Sequence, residues 1–152
     1  MGAWEDRAGV VELPDGRRVR GRGLRDGPPA PGQEPELGVY LTGSRPPVQE
    51  WESRWVRWPD FALPWSTTDA VAALRVAHER AADQRVELAC GGGTGRTGTA
   101  LALLAVLGGV SPDEAVGWVR EHYRPRAVET PWQRRWVVRT GARAVGAERR
   151  HD

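Results

Sequence analysis

The sequence has no lysine, no isoleucine and no asparagine, and only one cysteine, Cys90. A single cysteine excludes an internal disulfide and a cysteine-based zinc site. The three histidines, His78, His122 and His151, are scattered without metal-ligand spacing. The N-terminus lacks a charged-then-apolar leader pattern. The longest apolar run, Ala100 to Leu107, is too short to span a bilayer. These absences set the expectation of a soluble protein in a reducing, cytoplasmic setting, without membrane insertion and without a metal or other cofactor. All 22 basic residues are arginine and the formal net charge is only +2. The bias toward Arg, Gly, Ala and Pro follows high-GC coding, so the number of arginines alone does not imply a nucleic-acid partner, and none is expected. The small basic excess leans toward acidic ligands.

At 152 residues the chain is long enough to bury one core, and a single domain over 1–152 is expected. Residues 1–9 and 147–152 read as loose ends. Val10 to Leu13 and Arg17 to Arg20, joined by Pro14-Asp15-Gly16, read as two short strands. Residues 21–36, rich in Gly, Pro and Arg, read as an irregular surface loop. Leu37 to Leu41 is a buried-strand candidate. Glu50 to Arg54 reads as a helical turn and Arg54 to Trp58 as a strand. Ser66-Thr67-Thr68-Asp69 has the form of a capping box opening an amphipathic helix to about Asp83, with Val71, Leu74 and Ala81 inward. Val86 to Ala89 is a short strand. The run from Thr99 to Leu107 lacks a polar face and reads as a central, covered helix. Ser111-Pro112-Asp113-Glu114 opens a helix running to about Tyr123. Thr130-Pro131-Trp132-Gln133 opens the last helix, with Trp132, Trp136, Val137 and Ala144 as its apolar stripe. The expected fold is α/β: a central, mixed but mostly parallel sheet flanked by helices.

The chemistry concentrates in Cys90-Gly91-Gly92-Gly93-Thr94-Gly95-Arg96-Thr97, a glycine-rich turn between a strand and a helix. Backbone N–H groups in such a turn converge on one point, and the helix N-terminus adds positive potential. Arg96 can bind two oxygens of an oxyanion held there. The same field favours a thiolate on Cys90, which beneath a bound phosphate is a nucleophile. A Walker-type nucleotide loop would need glycine at position 90 and lysine at 96, so that reading is poor. Arg45, Arg124 and Arg126 flank loops and read as solvated surface.

The run Cys90 to Thr97 resembles the cysteine–five residues–arginine–Ser/Thr loop of the protein tyrosine phosphatase superfamily, with Gly93 and Gly95 at its usual glycine positions. Trp58-Pro59-Asp60 is similar to that family's mobile general-acid loop. Glu129 to Trp136 resembles its glutamine-bearing, water-positioning segment. The chain's length resembles the compact, dual-specificity-like branch. The resemblance implies hydrolysis of phosphate monoesters through a phosphocysteine, without a metal. Cys90 would attack phosphorus, and Arg96 with the backbone of Gly91, Gly92, Gly93, Thr94 and Gly95 would hold the oxygens. Asp60 would be the general acid, Thr97 would donate to the Cys90 sulfur, and Gln133 would place the water. Its substrate would be a phosphorylated protein, a phosphoinositide or a small phosphate ester. Two positions depart from the family pattern: Ala89 stands where it carries histidine, and Glu129 where it carries its first glutamine. These departures leave a second reading, a pseudophosphatase that binds phosphorylated ligands without turnover.

Overall fold

Strand β5 (Val86–Cys90) is the centre of the molecule, buried along its whole length. It lies between β2 (Arg18–Gly23) and β3 (Leu37–Thr42) in a five-stranded sheet. The sheet is completed by β1 (Val10–Glu12) beside β2 and β4 (Glu52–Arg57) beside β3. Only the β1–β2 pair is antiparallel; the other three pairings are parallel. The computed structural model describes residues 2–151, with side chains described to residue 147. Four helices complete the fold: α1 (Thr67–Arg80), α2 (Gly95–Leu107), α3 (Ala115–His122) and α4 (Pro131–His151). The expected mixed, mostly parallel α/β architecture is what the chain forms.

Local sequence explains most element boundaries. Ser66 caps α1 by accepting a hydrogen bond from the Asp69 backbone N–H at 3.1 Å. The inward face of α1 is Ala70, Ala73, Leu74 and Ala77, with Val71 half-buried. Helix α2 is buried from Gly95 through Val106, as an apolar-all-round helix must be. It packs against α1, α3, α4 and the sheet. Thr130 caps α4 by accepting from the Gln133 N–H at 3.1 Å.

Several expectations are corrected. Residues 21–23, read as the start of an irregular loop, extend β2 and pair with Leu88, Ala89 and Cys90. Their glycines signal close approach rather than a turn. A Cβ on Gly21 would come within 2.5 Å of the Tyr123 hydroxyl, and one on Gly23 within 2.8 Å of the Gly92 carbonyl. Residues Leu24–Asp26 form a short 3-10 helix. The helical turn expected over Glu50 to Arg54 is instead the start of β4, where backbone pairing with β3 overrides local propensity. The Ser111 box does not cap a helix: Glu114 N–H donates to Ser111 O in a turn, and α3 begins only at Ala115. Trp132, expected in the apolar stripe of α4, is 48% exposed.

The N-terminal end is better anchored than its composition suggests. Trp4 is buried, and its Nε1 donates to Val86 O at 2.8 Å. At the other end α4 continues as helix through His151, while Met1 and Asp152 lie outside the described residues.

One buried ionic cluster holds the middle of the sheet. Glu87, fully buried on β5, accepts from Arg20 Nη2 at 2.7 Å, Arg22 Nε at 2.7 Å and Tyr40 Oη at 3.2 Å. The Tyr40 hydroxyl in turn accepts from Trp51 Nε1 at 2.6 Å. Burial, reinforced by the Glu87 charge, pushes the Tyr40 phenol up to about 12, so it stays a donor. The cluster ties β2, β5 and β3 together through side chains as well as backbone. Replacing Glu87 with alanine strands two guanidiniums beside an apolar core. Glu87→Ala is expected to cost about 3–5 kcal/mol of stability, measured by urea unfolding.

Candidate active site

Cys90 ends β5 at the carboxyl edge of the sheet, between the parallel neighbours β2 and β3. Ligand sites in open α/β sheets form outside the carboxyl ends of the strands. The loop from Gly91 to Thr94 then turns directly into α2.

The loop is held by its carbonyls. Gly91 O accepts from Arg25 N–H at 3.0 Å and Gly92 O from Arg124 Nη1 at 3.0 Å. Gly93 O accepts from the Tyr123 hydroxyl. Thr94 O accepts from Gly98 N–H at 2.9 Å and Gly95 O from Thr99 Oγ1 at 2.7 Å. In a trans peptide the C=O and the following N–H point in opposite directions. Pinning five successive carbonyls from outside therefore turns the loop's N–H edges toward the cavity. The turn requires Gly93 at φ +74°, where a Cβ would also strike the Gly23 backbone at 2.6 Å. The Gly93 N–H donates to Cys90 Sγ at 3.2 Å.

Arg96 is buried and its donors are divided. Nη1 donates to Trp58 O at 3.0 Å, and Nη2 lies 3.5 Å from Asp60 Oδ1. Nε is buried with no partner. One edge of the guanidinium thus holds the Trp58-Pro59-Asp60 segment. The other edge presents Nε and a loosely engaged Nη2, the fork that binds two oxygens of an oxyanion. An incoming dianion would compete with Asp60 for Nη2.

The acid-bearing loop is clamped at several points. Trp58 is fully buried, packs edge-on to Trp136 at 5.4 Å, and donates from Nε1 to Ala62 O at 2.8 Å. Trp132 Nε1 donates to Phe61 O at 2.7 Å. Asp60 itself stays accessible, its side chain 44% exposed. Cys90, Asp60 and Arg96 line one small cavity of about 130 Å³ with Arg25, Phe61 and Glu129. That is the liquid volume of roughly four waters, a space suited to a small anion.

Two expected roles do not match the geometry. The Thr97 hydroxyl makes no hydrogen bond, and the donor to the Cys90 sulfur is the Gly93 N–H. Gln133 is fully buried with its amide committed. Its Oε1 accepts from Glu129 and Thr130 N–H at 3.0 and 3.1 Å, and its Nε2 donates to Ala62 O at 3.1 Å. Gln133 joins the start of α4 to the acid-bearing loop rather than facing the cavity.

Other residues at the site carry no sequence pattern. Arg124, read as solvated surface, also donates to Thr94 Oγ1 at 3.0 Å. Tyr123 reaches the loop from the end of α3. Burial pushes its phenol up to about 12; Arg124 opposes the shift and the Cys90 charge adds to it, so the hydroxyl remains a donor to Gly93 O. Arg25 reaches the cavity from the 3-10 helix after β2. The signal for Tyr123 was indirect: Gly21, in a strand, leaves the space its ring needs.

The sequence profile of the protein-tyrosine phosphatase family matches residues 39–140. The chain belongs to that family. Its fold is similar to the crystal structure of Tk-PTP in the active form, with TM-score 0.64 and 26% identity over 85% of this chain and 93% of that one. It is also similar to a glycine-to-alanine mutant form of Tk-PTP, with TM-score 0.64 and 28% identity over 74% of this chain and 80% of that one. No curated protein matches the chain. In this phosphatase domain, the donors from Tyr123 and Arg124 hold the loop by the Gly92 and Gly93 carbonyls and the Thr94 hydroxyl. Tyr123→Phe and Arg124→Ala are each expected to weaken tungstate binding by calorimetry, about 5–10-fold for the one hydrogen bond Tyr123 makes to the loop and at least as much for the two made by Arg124. Unchanged affinity in both would show that the loop holds its shape without them.

Proposed function

We propose that the protein hydrolyses phosphate monoesters through a phosphocysteine on Cys90, with Asp60 as general acid and then base. The observation that carries this reading is the shared cavity: a thiol, a guanidinium with an unpartnered Nε and an accessible carboxyl around a space of anion size.

The Cys90 thiolate attacks phosphorus opposite the leaving oxygen. Arg96 Nε and Nη2 and the inward N–H edges of the loop take the non-bridging oxygens, whose charge shifts in the transition state. The P–O bond to the leaving group breaks as Asp60, protonated for this step, gives its proton to the departing oxygen. A water then attacks the phosphocysteine, Asp60 takes a proton from it, and the S–P bond breaks to release inorganic phosphate and the thiolate.

Glu129 and Ala89 modify this scheme. Glu129 lies over Gly95 and lines the cavity, so its charge faces the bound dianion. That carboxylate is the specific observation favouring the second reading, a module that binds phosphorylated ligands without turnover. Ala89 provides no side-chain donor beneath the loop, and support comes instead from Tyr123 and Arg124. The chain has only two tyrosines, Tyr40 and Tyr123, both committed to hydrogen bonds inside the fold, which favours a dual-specificity-like enzyme. Candidate substrates are phosphorylated proteins, phosphoinositides and small phosphate esters. A single free cysteine acting as nucleophile suits a reducing, cytoplasmic setting.

Purified protein is expected to release p-nitrophenol from p-nitrophenyl phosphate in the presence of EDTA and reductant, and Cys90→Ser to abolish this. Absence of turnover across the acid-to-neutral range would leave only the binding reading. Asp60→Ala is expected to slow alkyl phosphates about 10²–10³-fold while affecting p-nitrophenyl phosphate far less, because nitrophenolate departs without a proton. Equal losses on both would remove Asp60 as the acid. Glu129→Gln is expected to tighten inhibition by inorganic phosphate about fivefold, through loss of a like charge at the cavity wall.

A further inference from the structure

Helix α4 leaves the site carrying a row of positive charge. Arg135, Arg139 and Arg143 recur at four-residue spacing, and all three are exposed. Among the described residues none of the three has a hydrogen-bonding or ion-pair partner for its guanidinium. They line a groove of about 270 Å³ between α4 and the start of α1, floored by Trp136 and Thr140, and among the described residues no acidic one lines it. The groove continues past Arg143 into a second hollow of about 440 Å³.

The row is continuous with the catalytic cavity. Trp132 lines the groove, and its indole N–H bonds to the backbone of Phe61, which lines the cavity beside Cys90. Phe61, Leu63 and Trp132 are 53%, 37% and 48% exposed, forming an apolar shelf between the two. The path from Cys90 therefore runs from anion pocket to apolar shelf to arginine row.

From this succession we infer that the α4 groove is a docking surface for an extended, acidic segment of a phosphorylated protein. The inference rests on the phosphatase reading of the Cys90 site and names the kind of substrate that site receives. Spacing and charge favour this occupant. Residues four apart on a helix are separated by about 6 Å along its axis. Alternate residues of an extended peptide lie about 6.8 Å apart on one face. Carboxylates at every second position of the peptide thus meet successive arginines, while an apolar residue nearer the phosphorylated one rests on Phe61 and Trp132. A small phosphate ester would reach only the cavity and gain nothing from the row.

The test compares phosphotyrosine peptides that are alike except for glutamates at alternate positions on one side or the other, with a neutral peptide and p-nitrophenyl phosphate as references. Wild-type protein is expected to prefer one acidic peptide over the neutral one about tenfold in kcat/KM, the combined effect of three exposed ion pairs. Rising salt should erode that preference. Changing Arg135, Arg139 and Arg143 together to glutamine should bring the two peptides near parity and leave p-nitrophenyl phosphate hydrolysis unchanged. A preference that survives the triple change, or none in the wild type, overturns the inference. So does binding to phosphatidylserine vesicles that the triple change abolishes while peptide selectivity stays flat, since the row would then be a membrane contact. Fluorescence anisotropy with the same peptides and Cys90→Ser protein needs no turnover, so docking is tested even if catalysis fails. There, tighter acidic-peptide binding that depends on the three arginines supports docking, and equal binding refutes it.

Discussion

Five consecutive carbonyls, from Gly91 to Gly95, are each taken by a donor outside the loop, and the site depends on this. Without those donors a run of glycines would sample many conformations, and the loss of that freedom opposes any single one. With them, the N–H edges have one direction left, toward the cavity. The donors come from the whole chain: Arg25 from the segment after β2, Gly98 and Thr99 from α2, Tyr123 and Arg124 from the end of α3. Folding of the distant parts and ordering of the loop are therefore one event.

The same economy holds for the acid. Arg96 faces two ways, gripping Trp58 O with Nη1 while Nε stays unpartnered at the cavity. Gln133 and Trp132 close the other side of that segment through Ala62 O and Phe61 O. The loop bearing Asp60 is thus held between Arg96 and the first turn of α4. Arg96 Nη2, 3.5 Å from Asp60 Oδ1, belongs to a side chain that lines the same cavity as Asp60 and Cys90.

Local chemistry makes much of this legible in the sequence alone. Apolar runs marked β3, β5 and α2, and the Ser66 and Thr130 boxes marked two helix starts, because each signal lies within a few residues. The signals failed where a partner far along the chain decides. Residues 21–23 look like loop from composition and are strand because β5 lies beside them. Glu52 and Ser53 are strand because β3 supplies the register. At the site, the Cys90–Arg96 spacing was a local pattern. Tyr123 and Arg124 act on backbone carbonyls about thirty residues away, a contact that leaves no motif. Gln133 shows the reverse: a motif suggested a residue facing the cavity, and three hydrogen bonds commit it to positioning the acid loop.

Phosphocysteine chemistry requires the pinned loop to present phosphorus to the Cys90 sulfur, so the direct measurement is the covalent intermediate. Asp60→Ala protein should be mixed with p-nitrophenyl phosphate, quenched rapidly in denaturant and analysed by intact mass and peptide mapping. One added phosphoryl group is expected, on the peptide containing Cys90, and it should disappear when Cys90 is also changed to serine. Burst release of p-nitrophenol with no phosphoryl group on Cys90, or a phosphoryl group on any other residue, would contradict it.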